Sequence, residues 1–132
     1  MFFLLKIENA RLNVPEPEYY EATASEAIEV GETLTLSAGK LTKCSGTTKP
    51  THIAMAVKGA ADTDRRMPVC RIESNQVYEV PVSEAPTGLT PGAKVTIAAD
   101  GLQVTATTAS GVATIVDVNG AKAIGDKIIV RF

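Results

Sequence analysis

A repeated hairpin design runs through this chain: alternating apolar and polar residues meet a glycine turn and then alternate again. Residues 31–37 (GETLTLS) alternate, Ala38-Gly39-Lys40 turns, and residues 41–44 (LTKC) resume the alternation. The design returns at 91–99 (PGAKVTIAA), Asp100-Gly101 and 102–107 (LQVTAT), and a shorter copy lies at 124–132 (IGDKIIVRF). A period of two places successive side chains on opposite faces of a strand. Asp-Gly between two such runs is among the strongest short hairpin signals, which predicts Gly101 at positive φ in a two-residue turn. In each copy a glycine stands just before a polar pair and an apolar strand: Gly31, Gly92 and Gly125. These glycines are expected to open strands at positive φ. The copies are too few and too unevenly spaced for a solenoid. The expected fold is all-β: a small β-barrel or sandwich built from repeated hairpins, with Greek-key or swapped-hairpin elements and an N-terminal arm.

Further strands fill the gaps. Residues 51–58 (THIAMAVK) alternate with Ile53, Met55 and Val57 expected on one face. Residues 67–72 (MPVCRI) read as a short strand with its proline near the start, where a strand tolerates it. Residues 76–82 (QVYEVPV) are expected to pair with it across Ser74-Asn75, and residues 112–118 (VATIVDV) form one more strand. No amphipathic pattern long enough for a substantial helix occurs; a short helix is expected at most over Ser25–Ile28. Two connectors stand out, the charged 59–66 (GAADTDRR) and the Pro/Gly segment 83–90 (SEAPTGLT). The domain reading is an N-terminal arm or first strand over 1–17, closed by Pro15-Glu16-Pro17, and a single β domain over 18–132. A chain of 132 residues is one domain by size and buries roughly 70% of the surface its unfolded form exposes, so no staple is required.

Composition then narrows function. There is no Trp, and only three Tyr and three Phe. Sugar-binding and base-stacking surfaces rely on aromatic platforms, so this chain is poorly equipped for either. A net charge of −2 calls for neither nucleic acid nor an anionic membrane. Residues 1–5 (MFFLL) lack the length and cleavage site of a signal peptide, and no stretch approaches the ~20 apolar residues of a membrane span. The expectation is a soluble intracellular chain. Inside a cell Cys44 and Cys70 are expected as two free buried thiols.

No catalytic, cofactor-binding or metal site is expected. His52 is the single histidine, and no nucleophile elbow or cysteine-enzyme signature surrounds a partner for it. Structural zinc needs four Cys or His ligands, and this chain has three in all. Asp62-Thr63-Asp64 lacks the oxygen series and closing Glu of a calcium loop. There is no Walker loop and no G-x-G-x-x-G. A pair of carboxylates acting as a small hydrolase stays open, because their separation is a three-dimensional fact.

Contact residues are the better candidates. Phe2, Phe3, Leu4, Leu5 and Ile7 are five large apolar side chains in seven positions, and exposed they would form a sticky patch. Either the body covers them, the arm being its first strand, or another chain does, the arm adding a strand to a neighbour's open edge. Arg65 and Arg66, beside Lys58, Asp62 and Asp64, offer an electrostatic contact to a partner.

The run from Glu18 through Lys43 resembles the opening of small capsid decoration proteins of tailed phages and prophages, in which an Ala-Ile/Val-x-x-Gly-x-x-Leu strand leads into a glycine turn. Residues 49–55 (KPTHIAM), 69–72 (VCRI) and the closing 125–132 (GDKIIVRF) are similar too. The apolar N-terminus departs from that pattern, whose arms are commonly more polar. The resemblance implies a structural cementing protein on the outer surface of a phage head, binding the major capsid protein and itself, often as a trimer, with no active site. The rival readings are a barrel-sandwich carrier or binding module, and another virion or tail adaptor. A biotinyl carrier presents a lysine flanked by methionines, whereas Met55 here stands between alanines and the turns at 38–40 and 100–101 lack that flank.

Overall fold

The computed structural model describes residues 1–11, 14–63 and 66–132. Among these described residues ten strands follow one another: β1 (Phe3–Ile7), β2 (Pro17–Ala22), β3 (Thr33–Ser37), β4 (Lys40–Lys43), β5 (His52–Ala54), β6 (Arg66–Arg71), β7 (Gln76–Pro81), β8 (Lys94–Val95), β9 (Ala113–Asp117) and β10 (Lys127–Arg131). They form two layers. Strands β2-β4-β3-β5-β6 close into a barrel, and β1-β7-β10-β9-β8 form an open five-stranded sheet. The fold is all-β, with no helix among the described residues.

The local hairpin signals hold where both strands lie close in sequence. β3 and β4 pair antiparallel across Ala38 (φ +49°) and Gly39 (φ +79°), two left-handed residues that suit the right-handed twist of the strands they join. Gly31, Gly92 and Gly125 open their strands at φ +76°, +89° and +87°. The second hairpin is shorter than the alternation suggested. Ile97 bridges Val104, and Ala98 N–H donates to Gln103 O at 2.9 Å, so the loop spans four residues rather than two. Gly101 keeps its positive φ of +69° within that loop.

Three expectations are corrected. Residues 67–72 and 76–82 do not form a hairpin: β6 pairs with β2 and β5 in the barrel, β7 with β1 and β10 in the sheet. The turn between them is real, with Gln76 N–H donating to Glu73 O at 3.1 Å, but it carries the chain from one layer to the other. Residues 51–58 do not keep Ile53, Met55 and Val57 on one buried face. β5 ends at Ala54, Met55 and Val57 are exposed, and Lys58 is buried instead as it bridges Ile28. The segment 25–28 is not helical: Ser25 takes φ +62°, which stops a helix, and Ile28 is drawn into the barrel.

Each layer has its own core. Ile28, Leu34, Leu41, Met67 and Val69 fill the barrel. Tyr78, Val80, Ile97, Ile115, Ile128 and Val130 lie under the sheet, joined by Cys44 and Ile53 from the barrel strands. Backbone bonds weld the layers: Thr33 N–H donates to Gly101 O at 2.9 Å, Ile97 N–H to Gly46 O at 3.0 Å, and Phe2 N–H to Gly31 O at 2.9 Å.

Candidate functional site

The N-terminal segment is the first strand of the sheet. β1 pairs antiparallel with β7, Phe3 opposite Glu79 and Leu4 opposite Tyr78, with a bulge between Leu4 and Lys6. Alternation then sorts the five apolar residues. Phe2 is 3% exposed, and its ring lies 5.4 Å from that of Phe132 and 6.5 Å from that of Tyr78. Leu4 packs against the same core, half-buried. Phe3 and Leu5 point outward and remain 55% and 42% exposed, while Ile7 is half-buried at the far end of the strand. Phe2 is therefore corrected from a partner contact to a core residue, because strand parity turns it inward. Arg66 is exposed at the start of β6, opposite Glu21, and Arg65 lies outside the described residues.

The structure gathers around Phe3 several residues that lie far apart in sequence. One groove of about 440 Å³ beside it is lined by Met1, Phe3, Pro15, Val30, Met55 and Tyr78, among others, and among the described residues by no charged side chain. A second, of about 360 Å³, shares Met1 and Phe3 and is completed by Pro81, Glu79 and Lys127. Phe3 thus stands as a ridge between two depressions. Arg66 lines neither of them. Val30 and Met55 carried no signal of their own; only the packing of the 28–31 and 53–55 segments against β1 brings them to this face.

A polar cluster occupies the barrel wall. His52 is buried, with Nδ1 2.8 Å from Thr51 Oγ1 and Nε2 3.2 Å from Glu18 Oε2. Arg71 clamps the same carboxylate through Nε at 2.7 Å and Nη2 at 3.2 Å, and Tyr20 Oη donates to it at 3.0 Å. The hydroxyl–imidazole–carboxylate order is that of a nucleophilic triad. Each member is nevertheless engaged in holding strands. Thr51 Oγ1 accepts from Leu36 N–H at 2.9 Å, and the Arg71 guanidinium holds the Glu18 carboxyl down to about 2, which leaves it a poor proton acceptor. The cluster ties β2 to β5 and β6 where the barrel closes.

Two further charges are buried, and sequence reasoning missed both. Glu32 is fully buried; Oε2 accepts from Glu29 N–H at 2.8 Å, and Oε1 lies 3.0 Å from Lys43 Nζ. Lys58 Nζ donates to the carbonyls of Glu26 at 2.9 Å, Gly59 at 3.3 Å and Thr23 at 3.4 Å. Parity was the available signal for Glu32, which stands two residues before the buried Leu34; for Lys58 there was none, because the strand ends at Ala54. Among the described residues, no group of three or more His, Cys, Asp or Glu side chains is placed to hold a metal ion.

No family model matches this chain, and no curated protein matches it. Among solved structures, it is similar in fold to the N base of head fiber gp8.5 of bacteriophage phi29. The likeness has a TM-score of 0.58 and covers 89% of this chain and 92% of that one, at 14% sequence identity. At that identity the likeness shows a shared fold.

Proposed function

We propose that this chain is a structural protein of a phage virion that attaches to the outside of the head as a decoration or cementing protein, with the major capsid protein and further copies of itself as partners. The observation that supports this best is the fold, shared over almost the whole chain with the base of a phage head fiber. An exposed apolar face is a second support, since it suits a protein that works by contact. No catalytic residue, cofactor or nucleic acid enters the reading. Its contacts are the outward residues of β1, Phe3, Leu5 and Ile7, and the charged 59–66 loop with Arg65 and Arg66.

The physics of such a role is direct. Weak contacts between capsid subunits hold a head against the pressure of packed DNA. A rigid β body that bridges neighbours adds contact area at many equivalent positions, and multivalency multiplies the gain. Two welded β layers supply the rigidity.

The test is co-sedimentation of the purified chain with undecorated heads of the phage or prophage that encodes it. Saturable binding at a fixed ratio to the major capsid protein, with decorated heads surviving heat that bursts bare ones, is the expected result. Absence of binding, or an intact mass carrying an added biotinyl or lipoyl group, would overturn the reading in favour of a carrier. Binding to tails alone would make the chain a tail adaptor.

A further inference from the structure

We infer that the Asn119-Gly120 turn is a covalent modification site, at which the folded chain deamidates to an aspartyl or isoaspartyl residue without an enzyme. The chemistry is independent of the head-binding role. Asn119 (φ +50°) and Gly120 (φ +71°) are the central residues of a two-residue turn after β9, closed by Ala121 N–H donating to Val118 O at 2.9 Å. Val118 and Ala121 pack against the core of the sheet, while Asn119 and Gly120 are exposed. The reaction needs a nucleophile, an electrophile and room. The nucleophile is the Gly120 backbone nitrogen, whose N–H has no acceptor among the described residues. The electrophile is the Asn119 side-chain amide carbon; that amide has no hydrogen-bond partner among the described residues and lies open to water. The glycine supplies the room, since nothing lies within 4 Å of where its β carbon would stand.

The Gly120 nitrogen gives up its proton and bonds to Asn119 Cγ; the Cγ–Nδ2 bond breaks, ammonia leaves, and a five-membered succinimide closes. Water then opens the ring. Attack at the side-chain carbonyl leaves an aspartyl residue, and attack at the main-chain carbonyl leaves an isoaspartyl residue whose main chain runs through Cγ. Either product adds one negative charge to the formal −2 of the chain. The left-handed turn must swing open first. Two bonds oppose this, Ala121 N–H to Val118 O and Asn119 N–H to Asp117 Oδ1 at 2.8 Å, and both belong to a surface loop that opens at far smaller cost than the whole fold. Comparable sites among the described residues are protected. Asp100-Gly101 could close the same ring, but Gly101 is buried and its N–H donates to Ala98 O at 3.0 Å. The Asp100 carboxylate accepts from Leu102 N–H at 2.9 Å and from Gln103 Nε2 at 2.7 Å. Asn9 and Asn75 precede Ala10 and Gln76, whose N–H groups donate to Ile7 O at 3.4 Å and Glu73 O at 3.1 Å. Each of those nitrogens is both bonded and crowded by a β carbon.

The experiment incubates the full chain in warm, mildly alkaline buffer and follows intact mass over time. Peptide mapping and an isoaspartate-specific methyltransferase place the change. A gain of about one mass unit is expected, confined to the peptide that carries Asn119 and in part methylatable. Asn119→Asp supplies the aged charge form as a chromatographic standard. Asn119→Gln should abolish the gain, because its side chain must close a larger and slower ring. Gly120→Ala should slow it about tenfold, since a β carbon then crowds the attacking nitrogen. Urea below the unfolding transition should leave the rate within about twofold of its value in buffer, because a local opening exposes little surface. A chain that gains no mass, or gains it at another residue, would overturn the inference. So would a rate that climbs with urea along the global unfolding curve, which would make the reaction a property of the unfolded chain.

Discussion

Changing Gly101 to alanine probes the weld between the two layers. Gly101 is buried at φ +69°, and a Cβ there would lie 2.9 Å from Glu32 Cγ, 3.3 Å from Cys44 O and 3.3 Å from Thr33 Oγ1. Its carbonyl accepts from Thr33 N–H at 2.9 Å and Thr33 Oγ1 at 3.1 Å, so the glycine cannot retreat without losing the bonds that join barrel to sheet. Holding an alanine in the left-handed region costs about 1–2 kcal/mol. Overpacking against a fully buried Glu32 adds roughly 1–3 kcal/mol, and restriction of the unfolded chain returns about 0.4–1 kcal/mol. The net is a destabilisation of about 1–5 kcal/mol, or roughly 4–18 °C in Tm for a chain of this size. Gly120→Ala is the matched control: its φ is +71°, but nothing lies within 4 Å of the added Cβ, so only the backbone part applies. Urea titration and thermal melts of the two variants give the comparison directly. If Gly101→Ala loses no more stability than Gly120→Ala, the close approach of Glu32 and Thr33 to the loop is wrong, and with it this account of how the layers are joined.

Phe2→Ala should destabilise the protein by about 3–5 kcal/mol through loss of a buried ring, whereas Phe3→Ala should cost well under 1 kcal/mol; denaturant midpoints will show whether β1 belongs to the core of its own chain. Glu18 has a folded pKa near 2, below its unfolded value, so its stabilisation is present above about pH 4.5 and is lost as pH falls toward 2. The Tm gap between wild type and Glu18→Gln should therefore be widest near neutrality and close across that window in acid. Cys44 and Cys70 are both free and buried, and burial pushes the Cys44 thiol up to about 11. A thiol reagent at pH 8 should find almost none in the native protein and two per chain in denaturant.

The sequence by itself determined the all-β class, the hairpin of β3 and β4, and the positive φ of Gly31, Gly92, Gly101 and Gly125. These follow from side-chain alternation and from the intolerance of β-branched and bulky residues for left-handed backbone, and both are local properties. It also left only two ways to cover the apolar start of the chain, as a first strand or by another molecule. Tertiary structure decided the rest. β6 and β7 carry the same alternation as any paired strands, and nothing at Ser74-Asn75 marks that they leave for different layers, β6 to β2 and β5 and β7 to β1 and β10. The choice of β1 as an edge strand beside β7 turned Phe2 inward and Phe3 outward, splitting a run of similar residues into core and surface. Glu32 and Lys58 could be buried because Lys43 and a ring of carbonyls stand ready in the folded chain, and Val30 and Met55 reached the Phe3 face because two distant turns pack against β1. Pairing partners and burial depend on which segments meet in space, and that is a property of the whole fold.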